Sequence, residues 1–274
     1  MPPADRSRPL APTEVDHAGL FRLDGDAVVV VGAGGGVGEH VARTVAAMGA
    51  RVLCVDVDAA GLAGVAGSLR APSLVADATT EDGVAAITEA AVAELGTVNG
   101  YVDVIGQLQR KPLPAFSMAE WEQDLRVNLT HAFLLGRRLA PVVAESGRGS
   151  IVHVSSVMGR HAGRLSPGYG PAKAALEVLV KSMAAEYGPA GVRVNAVAPG
   201  LFLSPRFTAT GADADGFLSG RTMLGRLGQP YEVAATVAFL LTPAAGYMTA
   251  STLLVEGGAT AVDSTGLDLL PYSP

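Results

Sequence analysis

Short apolar, largely β-branched runs alternate along this chain with segments whose apolar positions recur every three or four residues. The first run, "AVVVV" (27–31), has no polar interruption, as a strand buried on both faces requires. Val37, Val41, Val45 and Met48 come next at helical spacing. "RVLCVD" (51–56) reads as a second strand, with a helix from about Ala59, and "SLVAD" (73–77) as a third. Val84, Ile87, Ala91 and Leu95 mark the next helix, and "YVDVIG" (101–106) the next strand. A long helix from about Ser117 carries Trp121, Leu125, Leu129 and Phe133. "SIVHVSS" (150–156) is a strand, succeeded by a helix from about Gly168 with Leu176, Leu179 and Met183. "VRVNAVAPG" (192–200), a variable segment 201–228, a helix 230–241 and the strand "STLLVEGG" complete the pattern. Strands separated by helices predict an α/β fold: one doubly wound parallel sheet of about seven strands, with right-handed crossovers and helices on both faces.

The pattern has no internal repeat or composition break, so residues 19–274 read as one domain that includes the 201–228 segment. Residues 1–18 read as a mobile tail: they hold prolines and charges but no apolar core of a signal peptide. No stretch has the roughly 20 uninterrupted apolar residues of a membrane span. A cytoplasmic setting without a membrane partner is therefore expected.

Composition narrows the partners. Apolar residues make up 49% of the 274 and charged ones 17%, which excludes a disordered chain. A net charge of -6 without a long basic run argues against nucleic acid. The single cysteine, Cys54, rules out an internal disulfide framework and a cysteine-based zinc cage. Its place in "VLCV" suits a buried structural thiol. No His/Cys/Asp cluster has metal spacing, so no metal is expected.

"VVVVGAGGGVGEHVA" places Gly32, Gly36 and Gly38 between the first strand and the first helix. Glycines there let the chain turn sharply and let backbone N–H groups approach a pyrophosphate, which the helix N-terminus also favours. That context gives a Rossmann-type dinucleotide site. Asp56 ends the second strand 18 residues after Gly38. A carboxylate there accepts hydrogen bonds from both ribose hydroxyls and repels a 2′-phosphate, favouring NAD over NADP. Asp77 is placed either to bond the adenine amino group or to cap the next stretch of chain.

Tyr169 and Lys173 stand four residues apart in "YGPAK", so on a helix they share a face. An ammonium near a phenol favours the phenolate. Ser156, thirteen residues before Tyr169, lies at a strand end, where open α/β sheets line their ligand crevice; Ser155 beside it should point the other way. Asn128 falls in register with Trp121, Leu125 and Ala132, on a stripe expected to face the sheet. An amide there needs a partner.

Taken together, "VGAGGGVG", "RVNLTHAF", "SIVHVSS", "YGPAK", "VRVNAVAPG" and "GRLGQPYEVA…LLVEGG" resemble the short-chain dehydrogenase/reductase family over about residues 24–260. The resemblance implies a tetrad. Tyr169 would be the acid/base and Ser156 would orient the carbonyl or hydroxyl. Lys173 would bind ribose and lower the tyrosine pKa, and Asn128 would help hold a relay water. It further implies cofactor contacts at Gly32, Gly36, Val37, Gly38, Asp56, Asp77, Ala78 and Gly106. Pro199, Gly200 and Phe202 would flank the nicotinamide, and Ser204 stands where the family commonly has a threonine. The sequence departs from the family at Val31, usually threonine, and at "DVIG" (103–106), usually Asn-Asn-Ala-Gly. Asp103 would then be a buried carboxylate that must find donors or take up a proton.

The implied activity is NAD-dependent hydride transfer with a small-molecule secondary alcohol or ketone. A non-catalytic dinucleotide sensor and an NADPH-dependent 3-oxoacyl thioester reductase are the alternatives. Arg110, Lys111, Arg160, His161 and Arg164, in segments bounding the substrate site, either recognise an acidic group or are simply solvated. His153 reads as structural. The family is commonly tetrameric, so a homotetramer or homodimer is implied, with the long helix and the one at about 168–188 packing against a partner. The C-terminal "GLDLLPYSP" either crosses an interface or frays.

Overall fold

A computed structural model describes residues 11–161, 163–203, 216 and 218–261. The predicted sheet is present. Its seven parallel strands are β1 (Ala27–Val31), β2 (Arg51–Asp56), β3 (Ser73–Val75), β4 (Gly100–Asp103), β5 (Gly149–Val154), β6 (Val192–Pro199) and β7 (Thr252–Val255). They lie in the order β3-β2-β1-β4-β5-β6-β7. β1 and β4 are neighbours in the sheet but not in the chain, so the strand order reverses between them. That reversal is where open α/β sheets leave a crevice at their carboxyl ends.

Among the described residues seven helices cover the sheet: α1 (Gly36–Ala47), α2 (Ala59–Leu69), α3 (Glu81–Leu95), α4 (Met118–Leu125), α5 (His131–Ala144), α6 (Tyr169–Tyr187) and α7 (Pro230–Leu241). Strand alternation divides the core in two. Val29 and Val31 pack with α3, α5 and α6, while Val28 and Val30 pack with α1, α2 and α7. Cys54 is buried in the second layer, and burial pushes its thiol up to about 11. None of the described helices is long and apolar enough to cross a membrane.

Three details differ from the sequence reading. β3 and β5 stop two residues short of the predicted ends, leaving Asp77 and Ser156 in loops just past their strands. Residues 12–14, within the expected tail, form a short 3-10 turn. The long helix is interrupted: a π turn (Arg126–Thr130) joins α4 to α5. The buried stripe runs through Asp124, Asn128, His131, Leu135 and Leu139, and Phe133 is half exposed.

Candidate active site

Helix α6 brings Tyr169 and Lys173 to the crevice. Its first turn is poor helix material, with Gly170 and Pro171, but proline is tolerated there and a helical glycine costs only about 1 kcal/mol. Leu176, Val180, Met183 and Ala184 bury the other end of the helix against the sheet. Burying a large apolar side chain contributes about 1.5–3 kcal/mol, so the packed end outweighs the weak start.

Lys173 is buried at 1% exposure. Its ammonium donates to the Ile105 carbonyl at 3.1 Å and the Val154 carbonyl at 2.9 Å, just past the ends of β4 and at the end of β5. Its Nζ lies 5.9 Å from the centre of the Tyr169 ring. Burial pushes the Lys173 ammonium down to about 8, with the Asp103 charge acting in the opposite sense. An ammonium has three donors, and two are committed to carbonyls, so one is left for the crevice. Burial raises the Tyr169 phenol, and a hydrogen bond from Ser156 pulls it the other way. In the chain by itself, then, burial outweighs any lowering by Lys173, contrary to the sequence expectation.

The two serines diverge as alternation predicted. Ser155 turns to α6, donating to the Lys173 carbonyl and to Glu177. Ser156 lies beside Tyr169 and caps a short turn by accepting from the Met158 N–H. Asn128 has found its partners. Its Oδ1 accepts from Gln107 N at 2.9 Å, and its Nδ2 donates to the carbonyls of Gln107 and Asp124 at 3.0 Å each. The amide thus clamps the β4 loop to the π turn. Gly106 lies in that loop, and a Cβ there would come within 3.1 Å of Lys173 Nζ and 3.4 Å of Asn128 Oδ1. This close approach explains why glycine alone survives of the usual motif.

Two adjoining cavities, of about 490 and 430 Å³, share Val104, Ile105 and Gly106 in their walls. The first is lined by Gly32, Asp56, Asp77 and Ala78, with no lysine or arginine among its lining residues. The second is lined by Val37, Ser156, Tyr169, Lys173, Pro199, Gly200 and Phe202. At Gly38 a Cβ would overlap the Gly32 carbonyl oxygen, so only glycine lets α1 start this close to β1. Asp56 accepts from the Gly34 N–H at 2.7 Å and from Asp58 N at 2.9 Å, pinning the glycine loop. Asp77 accepts from the Thr79 N–H and hydroxyl, the local capping role foreseen as one of its two options. Ser204 lies outside the described residues. The donor set suits a dinucleotide: backbone N–H groups and a helix start between two carboxylates at one end and a phenol with an ammonium at the other.

The sequence model of the family described as enoyl-(acyl carrier protein) reductase matches residues 32–260. The chain is 38% identical over 240 residues to cis-4-hydroxycyclohexanecarboxylate dehydrogenase of Sinomonas cyclohexanicum, covering 85% of this chain and 96% of that one. The chain belongs to the short-chain dehydrogenase/reductase family. Its fold matches a solved 7α-hydroxysteroid dehydrogenase complexed with NADH and 7-oxo glycochenodeoxycholic acid (TM-score 0.85, 30% identity, 89% of this chain and 98% of that one). It also matches a structure described as an NAD(P)-dependent gluconate 5-dehydrogenase from Beutenbergia cavernae with bound NADP (TM-score 0.83, 32% identity, 89% and 100%). The protein is therefore an oxidoreductase of CH–OH groups that works with a nicotinamide cofactor.

What the sequence missed is the setting of Asp103. This carboxylate, 1% exposed, lies 2.9 Å from His131 Nε2 and 2.8 Å from His153 Nδ1, and it accepts from Ile105 N at 3.1 Å. Burial alone would raise the Asp103 carboxyl; charge and hydrogen bonding from the two imidazoles outweigh that and hold it far below the usual carboxylate range.

Proposed function

We propose that this protein is an NAD-dependent dehydrogenase of secondary alcohols that carry a carboxylate away from the reacting carbon. The observation that carries the reading is that Ser156, Tyr169 and Lys173 line one cavity with Pro199, Gly200 and Phe202. When bound, the cofactor supplies a hydride acceptor at its nicotinamide. Gly32, Gly36 and Gly38 with Asp56 and Asp77 hold its adenosine half, and Lys173 holds the nicotinamide ribose. Ser156 orients the substrate oxygen. Tyr169 takes the alcohol proton, and returns it in ketone reduction. Lys173 favours the phenolate form through its charge, and a positively charged oxidised nicotinamide adds to that effect. Asn128 holds the loop that places the Ile105 carbonyl against Lys173.

Preference for NAD is supported by a cavity end with two carboxylates and no cation. A carboxylate-bearing substrate is supported by the charges in the two segments that the sequence sets around the substrate site, which run on from the cavity-lining Leu108 and Met158. Lys111 is tied to Glu120 at 2.7 Å and Arg160 to Glu177 at 3.0 Å. Arg110 and Arg164 are exposed, with no hydrogen bond or ion pair among the described residues. They flank the contact in which Lys111 N donates to the Leu165 carbonyl, which joins the two segments. Hydroxycyclohexanecarboxylate, gluconate and a bile acid appear in the names of the similar proteins. A homotetramer is supported by Phe133 on α5 and Val178 on α6, exposed large apolar side chains on adjacent helices.

The test is turnover with NAD or NADP, read as absorbance of the reduced cofactor, over secondary alcohols with and without a remote carboxylate. NAD should outperform NADP, and the acids should outperform their uncharged amides. Arg110→Ala with Arg164→Ala should raise KM for the acids about tenfold while leaving the amides unchanged, the loss of an exposed charged contact worth roughly 1–1.5 kcal/mol. Tight cofactor binding with no turnover on any compound would favour a sensor instead. NADPH-driven reduction of 3-oxoacyl thioesters above all else would favour the acyl reductase.

A further inference from the structure

One buried titratable cluster takes no part in the reaction scheme above. Asp103 at the end of β4, His131 at the start of α5 and His153 on β5 are each 0–1% exposed, and Tyr101 on β4 completes the group at 0%. An ionised carboxylate only accepts hydrogen bonds, so the ring nitrogen each imidazole turns to it carries a proton. The Tyr101 hydroxyl lies 3.4 Å from His153 Nε2, and His131 Nδ1 has no partner among the described residues. The two imidazoles and the Ile105 N–H together engage the carboxylate. The ring nitrogens touch the carboxylate directly, and no cluster among the described residues is arranged to hold a metal ion.

Asp103 is a buried carboxylate, and Lys173 is a buried cation within reach of its charge. The two are linked through one residue: Asp103 accepts from the Ile105 N–H, and the Ile105 carbonyl accepts from Lys173 Nζ, both at 3.1 Å. Of the other carboxyls on the packed elements, Glu177 on α6 is tied to Ser155 and Arg160, and Asp124 on α4 lies against Gly168 with its Oδ2 lacking a hydrogen-bond partner among the described residues.

We propose that Asp103 is a positioning residue of the active site: the buried counter-charge that keeps Lys173 protonated, and a brace for the loop that receives it. The inference rests on the roles assigned above to Tyr169 and Lys173. An ammonium with two carbonyl partners but no counter-charge would lose its proton more readily as pH rises, and with it its pull on the Tyr169 phenol. The direction of the Asp103 effect on Lys173 agrees.

The test is the pH profile of kcat/KM for alcohol oxidation in the wild type and in Asp103→Asn, an isosteric change. The basic limb reports Lys173 losing its proton. Removing the counter-charge should move that limb down by about one pH unit. A merely structural role would lower the height of the profile, or the Tm, with that limb unmoved, and that result overturns the proposal. Isotope-edited infrared spectroscopy of the wild type gives a second readout that needs no variant. A carboxylate band from Asp103 at neutral pH is expected; a carboxylic acid band would overturn the proposal. A wild type without turnover would defeat the functional reading instead, so the two failures are distinct.

Discussion

At the residue scale, cofactor choice turns on Asp56. Its carboxylate sits in the adenosine-side cavity and pins the glycine loop through Gly34. Asp56→Ala should weaken NAD binding and shift the ratio of kcat/KM for NADP over NAD upward by about tenfold or more, the loss of a charge-assisted hydrogen bond together with relief of repulsion. An unchanged ratio would contradict the assignment. The sequence made this residue readable, along with Ser156, Tyr169 and Lys173, because the glycine loop and the strand ends announce where each side chain must emerge. Asp103 was readable only as a problem. Its partners His131 and His153 lie 28 and 50 residues away in the chain, and only the packing of α5 on β4 and β5 brings them together. The Tyr169 phenol, expected to be lowered, is instead raised by burial, which residue spacing does not report.

At the element scale, α4 and its π turn carry the site's scaffold. Ser117 caps α4 in a reciprocal box with Glu120: the serine hydroxyl accepts from Glu120 N, and Glu120 accepts from Ser117 N. Lys111 bonds the same carboxylate, and with the cap it holds Glu120 down at about 2. Ser117→Ala should therefore lower stability by about 1 kcal/mol, read as a drop in Tm, without moving the pH limbs of activity. Because the Glu120 value is lowered, its contribution is fully present above its ordinary pKa of 4.5 and is lost as pH falls through about 2. The wild-type advantage over the alanine variant should shrink across that window. The π turn itself was not legible. Asn128 faces inward, as its register with Ala132 indicated, whereas Phe133, read onto the same helix's apolar positions, is half exposed.

At the scale of the whole molecule, seven strands in one parallel sheet hold the glycine loop, the β4 loop, Ser156 and the Pro199–Phe202 stretch at a single edge. That arrangement could be read in advance because buried parallel strands and amphipathic helices have distinct periods. The outer surface could not, since an exposed apolar residue looks the same in sequence as a buried one. Phe133 and Val178 are 50% and 60% exposed, and Tyr231, Tyr247 and Leu254 form a second set near α7 and β7. Sedimentation should find a tetramer, and Phe133→Glu with Val178→Glu should reduce it to a smaller species with the cofactor still bound. A wild-type monomer at assay concentration would contradict the proposed assembly.

All three scales meet at Tyr169. The decisive measurement is the turnover of Tyr169→Phe with NAD and an oxidisable alcohol, paired with calorimetric titration of NAD into the same variant. Removal of the acid/base hydroxyl should cost at least about 100-fold in kcat while NAD binding stays within a few-fold of wild type. Turnover close to wild type, with the cofactor bound, would contradict the central role assigned to this phenol.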